Sequence, residues 1–327
     1  MSLTQEQLQQ RANRIGSSSA AAIAGLSPYS TAIGEWLKIT GRVEYEPSDA
    51  TELGHAIEDG IGRRSAEKLS LAHVERNCGQ STLFDDFAIA TQDFDAWTDF
   101  GEGHGAPPDA VLEVKNVSVR VMDRWDEDDP TGYPDYVYAQ VQDQLHVLER
   151  SRAYIGAAVA GLGPFVYVVD YDEGFAAGLM QILRDFHRNH VLTGIAPDLD
   201  WSDGAAEYLR ITYPKRVQRI VKATPEIEDV VAELKELRAE SMRVNRKVDQ
   251  RKHVICDFMG AADADVLDSE IGRITWRWQN GRTRSGDLIR NLAHSEPVSP
   301  AELKARKEAF RGEPFRVFNV DRRWNKE

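Results

Sequence analysis

At 327 residues, 42% hydrophobic and 28% charged, the chain is long enough for a sizeable core and for two structural units. Two cysteines, Cys78 and Cys256, exclude a disulfide framework, a four-cysteine zinc site and an iron–sulfur cluster, and predict a reduced, cytoplasmic setting. The net charge of −13 excludes a general DNA-coating protein, but it is uneven: residues 1–209 carry 15 Lys+Arg against 34 Asp+Glu, and residues 210–327 carry 25 against 19. Any nucleic-acid contact is therefore local, at a site whose bound cation supplies positive charge, or helped by the C-terminal third.

No apolar run reaches the ~18–20 residues that span a bilayer, so no membrane partner is expected. The polar, Gln-rich stretch Met1–Arg11 has no apolar region of a secretory signal. Residues 4–12 suit a short helix capped by Thr4. Ser17-Ser18-Ser19 precedes the run Ala20–Ala24, which predicts a helix capped by serine and stopped by Gly25. Hydroxyls and free N–H groups there favour an anion, and Arg11 and Arg14 just upstream would complete a phosphate clamp; plain N-capping is the alternative.

A helix over 32–40 ends at Gly41, and a longer one runs from about 50 to 69. Leu53, Ile57 and Ile61 follow a four-residue step and are expected to face the core. Gly54, Glu58 and Gly62 share a neighbouring stripe, leaving Glu58 without side-chain cover on either side. That pattern suits close approach by a ligand or backbone, or a solvated glutamate beside two tolerated glycines.

Residues 89–97 and 109–116 each read as a strand, joined by Thr98–Pro108 with three glycines and two prolines, which predicts a hairpin with a long loop. Residues i and i+2 of a strand share a face, so Glu113 and Lys115 project together, and strand pairing can set Asp93 opposite Glu113. Two carboxylates and a lysine on one sheet face suit a hard cation that activates water against a phosphodiester. Asp109 is less suited, because four residues of extended strand put it ~13 Å from Glu113. Asp93 is therefore preferred, Asp109 reads as a turn residue, and Asp95 is a further alternative.

Residues 123–134 form an acidic, proline-bearing loop expected to be mobile. A helix follows over 135–149, with Val137, Val141, Leu145 and Leu148 as its core stripe and Tyr136, Gln140 and Asp143 on another face. Gln140 there suits either a water or phosphate contact or a plain surface. Two buried strands, 153–160 and 164–171, and a helix over 175–191 close the unit. From Thr224, Ile227, Val230, Leu234, Leu237, Val244 and Val248 recur at three- and four-residue spacing, which predicts a long amphipathic helix able to form a coiled-coil hairpin or an oligomer contact. Ile271–Trp278 alternates like a strand before the turn signal Asn280-Gly281, and 315–320 reads as a last strand. Arginines among aromatics (Trp276, Arg277, Trp278, Arg282, Arg284) suit a half-buried strand with solvated cations better than a nucleic-acid clamp.

Four blocks in order resemble the YqaJ family of viral recombinases, the phage lambda-type exonucleases of the PD-(D/E)xK nuclease superfamily. They are Ile15–Tyr29, Gly54–Glu58, the Ala90–Asp93 strand with Glu113-Val114-Lys115, and Tyr138–Gln142; together they cover about residues 11–190. The resemblance implies an α/β fold: a restriction-endonuclease-like core of a central mixed sheet flanked by helices (residues 1–209), with a C-terminal α+β extension (210–327) containing the long helix. It implies a metal-dependent deoxyribonuclease, a phage or prophage 5′-to-3′ double-strand exonuclease that leaves 3′ tails for recombination. Duplex DNA ends would be its substrate, an annealing protein its partner and a homo-oligomeric ring its assembly. A repair or restriction endonuclease and a non-catalytic DNA-end-binding protein are the alternatives.

By the same resemblance, Asp93, Glu113, Glu58 and the Val114 carbonyl hold Mg²⁺ (or Mn²⁺), Lys115 positions or activates the water, and Gln140 braces the site. Arg11, Arg14, Ser18 and Ser19 would contact the 5′-phosphate or DNA. The chain departs from the family pattern at Gln92-Asp93, where Pro-Asp is frequent, and at Ser19, where aspartate is frequent.

Overall fold

The computed structural model describes residues 13–43, 49–77, 81–99, 107–214, 220–279, 300–309, 311 and 315–320. They divide into two units after residue 217. The first runs β1 (Ile15–Gly16), α1 (Ser17–Ile23), α2 (Ala32–Ile39), α3 (Asp49–Leu69), β2 (His73–Arg76), β3 (Thr82–Phe84), β4 (Ala88–Ala90) and β5 (Phe94–Trp97). It continues with β6 (Ala110–Val117), α4 (Asp135–Leu148), β7 (Arg152–Val159), β8 (Pro164–Asp170), α5 (Glu173–Phe186) and α6 (Asp203–Thr212). The expected mixed α/β arrangement is present: a five-stranded sheet of order β2-β5-β6-β7-β8, in which only β6 and β7 are parallel.

Alternation along β6 assigns its two faces. Ala110, Leu112 and Val114 pack with Ile61 and Ala66 of α3, whereas Val111 packs with Val137, Val141 and Leu145 of α4. Glu113 therefore projects toward α4. Two glycines let α3 lie close on the opposite face: a Cβ at Gly62 would sit 2.4 Å from the Phe94 ring, and one at Gly156 of β7 would sit 2.2 Å from Ser65 Oγ.

Several expectations are corrected. The strand predicted over 89–97 breaks at Thr91-Gln92-Asp93, and its halves join different sheets: β4 pairs with β1 and β3, β5 with β2 and β6. Neither β2, β3 nor α6 was anticipated; their apolar signals are too short or too mixed with charge. Leu53 and Ile57 do not face the core, being 57% and 37% exposed; only the later part of α3, from Ile61, reaches the sheet. The serines sit inside the first turn of α1, with Gly16 at the cap position and no capping side-chain bond. The 123–134 loop is tied down by buried Trp125 and by the Asp126 N–H donating to the Gly132 carbonyl (2.8 Å). Strand β8 is an edge strand with Val168 half exposed, rather than a fully buried one. Helix α6 spans the 209/210 boundary and packs on α2, with Tyr208 edge-on to Trp36 at 5.9 Å.

The second unit contains α7 (Pro225–Ala261), β9 (Val266–Ser269), β10 (Gly272–Gln279), α8 (Pro300–Ala309) and β11 (Phe315–Val320). Helix α7 is one uninterrupted helix of 37 residues, not a hairpin. Strand β10 pairs on one side with β9 and on the other with β11. Asn280, Gly281, Arg282 and Arg284 lie outside the described residues, as do Arg11 and the 4–12 segment.

Asp143 on α4 was placed on a polar face, yet it is buried beside Ser17, with no hydrogen-bond partner for either carboxyl oxygen. Burial pushes its carboxyl up to about 7, and Ser17 opposes this only in part. A raised carboxyl gives stability that is full below its unfolded value, 3.8, and is lost as pH rises through about 7. Asp143→Asn should therefore flatten stability between these pH values and gain on the order of 4 kcal/mol at the alkaline end; urea unfolding against pH measures this. Gly62→Ala should lose about 1–3 kcal/mol by overpacking, outweighing the ~1 kcal/mol that alanine ordinarily gains in a helix. A melting temperature above wild type would contradict it.

Candidate nuclease site

The β5–β6 ladder pairs Phe94 with Leu112 and Asp95 with Val111, so the next step of the register sets Asp93 opposite Glu113. The Val114 N–H, midway along β6, donates to Asp93 Oδ2 (2.8 Å) and fixes the carboxyl just ahead of β5. Burial and the neighbouring Glu113 charge push Asp93 well above the usual carboxylate range, and Glu58 lies within hydrogen-bonding reach of it. Lys115, two residues along β6, donates to Glu113 Oε1 (2.5 Å). Burial works against its charge, but Glu113 and Asp93 outweigh this and hold the ammonium above its ordinary value.

Helix α4 supplies two amides, one turn apart, on its face toward the sheet. Gln140 bridges the pair: its Nε2 donates to Glu113 Oε1 (2.7 Å) and its Oε1 accepts from Lys115 (2.9 Å). Gln144 Nε2 donates to the other oxygen, Glu113 Oε2 (2.7 Å), in a buried contact. Gln144 was not anticipated, although its four-residue spacing from Gln140 was a signal. Helix α3 brings Glu58 to the site, where it pairs with Arg76 of β2 (2.6 Å); Arg76 was not anticipated either. Asp93, Glu113, Lys115, Glu58 and Gln140 are thus brought together.

The other aspartates are held elsewhere. Asp109 caps the mouth of the β5–β6 connection, accepting from the Thr98 N–H and hydroxyl. Burial raises its carboxyl, but Thr98 and Arg150 outweigh this and hold it below the usual range. Asp95 Oδ1 accepts from Gln92 (2.9 Å). Of the expected phosphate contacts, Ser19 donates to Glu35 Oε2 (2.7 Å) and is turned toward α2. Ser18 is exposed in the first turn of α1 and Arg14 immediately precedes β1. Through the Ile15↔Ala88 and Gly16↔Ile89 pairs, β1 ties this segment to β4, three residues before Asp93.

Among the described residues no three His, Cys, Asp or Glu side chains form a preassembled ligand group. At Val114 the N–H is bonded to Asp93, and the carbonyl of the same residue lies on the same side of the strand. The donor set nevertheless fits a hard divalent cation. Buried Glu113 and half-buried Asp93 are two oxygen donors side by side, and the unfavourable charge that raises Asp93 is what a cation there would offset.

Residues 6–151 match the YqaJ-like viral recombinase domain. The chain is 28% identical over 261 residues to the uncharacterized protein YqaJ of Bacillus subtilis, covering 71% of this chain and 75% of that one. Among solved structures it is similar to an alkaline exonuclease (LHK-Exo) from Laribacter hongkongensis (TM-score 0.45, 16% identity, 64% of this chain and 97% of that one). It is also similar to a phage-related exonuclease from Haemophilus somnus (TM-score 0.42, 11% identity, 55% and 94%). No helix among the described residues is long and apolar enough to cross a membrane. The strand pairing and the acid–lysine–glutamine cluster fall within residues 6–151, the part of the chain that is similar to the YqaJ-like viral recombinase domain.

Proposed function

We propose that the chain is a divalent-metal-dependent deoxyribonuclease, a phage-type exonuclease that digests duplex DNA from its ends in the 5′-to-3′ direction and leaves 3′ single strands for an annealing partner. The observation that carries this reading is the meeting of Asp93 and Glu113 across β5 and β6, with Lys115 and Gln140 joined to the same carboxylate. The similarity of residues 6–151 to the YqaJ-like viral recombinase domain supports the substrate class. The 5′ polarity rests on Arg14 and the exposed Ser18, which β1 ties to the strand leading to Asp93.

Asp93, Glu113 and, after release from Arg76, Glu58 would hold Mg²⁺ or Mn²⁺, whose Lewis acidity suits attack on a phosphodiester. The chain's own groups do the rest. Lys115, held protonated by its acidic neighbours, serves as a hydrogen-bond donor and positive charge at the reacting phosphate. Gln140 sets the Lys115–Glu113 geometry, and Gln144 pins the far oxygen of Glu113, so that the carboxylate presents in one orientation.

Asp93→Asn and Glu113→Gln should each lower nucleotide release from 5′-phosphorylated linear duplex with Mg²⁺ on the order of 10³-fold. Asp109→Asn should remain near wild type, and loss of activity only in that variant would overturn the choice of aspartate. A closed circle should stay intact; its cleavage would point to an endonuclease. Gln144→Ala should lower kcat by ~10–100-fold through a loosened Glu113, measured under saturating substrate.

A further inference from the structure

Helix α7 carries a heptad pattern that the described residues of its unit leave exposed to solvent. With Ile227 at position a, Leu234 and Val248 recur at a, and Val230, Leu237 and Val244 fall at d. These six side chains are between 44% and 57% exposed. The 3.5-residue period is that of a two-stranded coiled coil, whereas a helix lying on a sheet needs a broader apolar face. Among the described residues it is the C-terminal end of α7 that is anchored: Met259 is buried, and Gly260 lies against Trp276 of β10.

The charge along this helix says what covers the stripe. Residues 225–240 carry six carboxylates against two Lys/Arg, and residues 241–254 carry five Lys/Arg against one carboxylate. Along the helix only neighbouring charges meet, as in Glu240–Arg243 (3.0 Å) and Asp249–Lys252 (3.7 Å), so the two halves remain opposite in sign. A second copy running parallel would set acid on acid and base on base. A second copy running antiparallel sets each acidic half against a basic half, twice. Glu233 and Glu240 occupy g positions that flank the seam, as does Lys247, while Arg251 interrupts it at d. We propose that α7 is a dimerisation element that pairs antiparallel with the α7 of a second copy of this chain. The pairing is independent of the nuclease reading, since none of its residues belongs to that site.

The experiment measures the mass of the full-length protein in solution by sedimentation or light scattering. The variant Glu233→Lys/Glu240→Lys neutralises the acidic half and leaves the helix net basic, and Lys247→Glu/Arg251→Glu neutralises the basic half and leaves it net acidic. The wild-type chain is expected at twice the mass of either variant, with the dissociation constant raised about tenfold or more in each. An equal mixture of the two variants is expected to recover the paired mass. Circular dichroism checks that the exposed substitutions leave the helix intact, and Leu234→Asp/Leu237→Asp is expected to abolish pairing. Wild type that fails to pair would overturn the proposal. So would a charge variant that pairs as tightly as wild type, the outcome for a parallel arrangement, or pairing that survives Leu234→Asp/Leu237→Asp.

Discussion

The antiparallel register of β5 on β6 is the constraint on which the site depends. Phe94 opposite Leu112 leaves Asp93 opposite Glu113, and a shift by one residue would turn one of the two acids to the other side of the sheet. The register is held by alternation: Phe94, Ala96, Ala110 and Leu112 are buried against α3, so any slip would expose them. A hydrophobic cluster on one face thus fixes the position of charged groups on the other.

The cost of that position is two acids in a dry place, and the surrounding residues offset it. Glu113 is almost fully buried, yet both its oxygens are bonded, one to Lys115 and Gln140 and the other to Gln144. Asp93 is left with the Val114 N–H and the neighbouring Glu58, and its carboxyl is raised accordingly. The site is therefore asymmetric, with one acid saturated by donors and the other short of positive charge. That imbalance is what a divalent cation would relieve, and it lets an acidic domain accept a polyanion locally.

The two units divide the charge between them. The acidic first unit carries the cluster of carboxylates, while the second carries the basic half of α7 and an exposed strand bearing Arg277 and Trp278. In the first unit exposed apolar groups are scattered over several elements, Leu53 and Ile57 ahead of Glu58 among them; in the second they run along α7.

Local pattern was enough to determine much of this protein. Alternation in 110–117, the four-residue step through Val137, Val141 and Leu145, and the heptads from Ile227 are short-range consequences of strand and helix periods, so β6, α4 and α7 were legible before any contact was known. That Asp93 rather than Asp109 comes to lie beside Glu113 was also legible, because the rise of a strand separates residues four apart on it by ~13 Å. Tertiary structure alone decided the rest. It broke 89–97 into two strands of different sheets and left Leu53 and Ile57 outside the core. It turned Ser19 to Glu35, buried Asp143 on a helix face that reads as polar, and brought Gln144 and Arg76 to carboxylates far away in sequence. Each of these outcomes depends on which neighbour arrives from a distant part of the chain, and periodicity within one element carries no information about that.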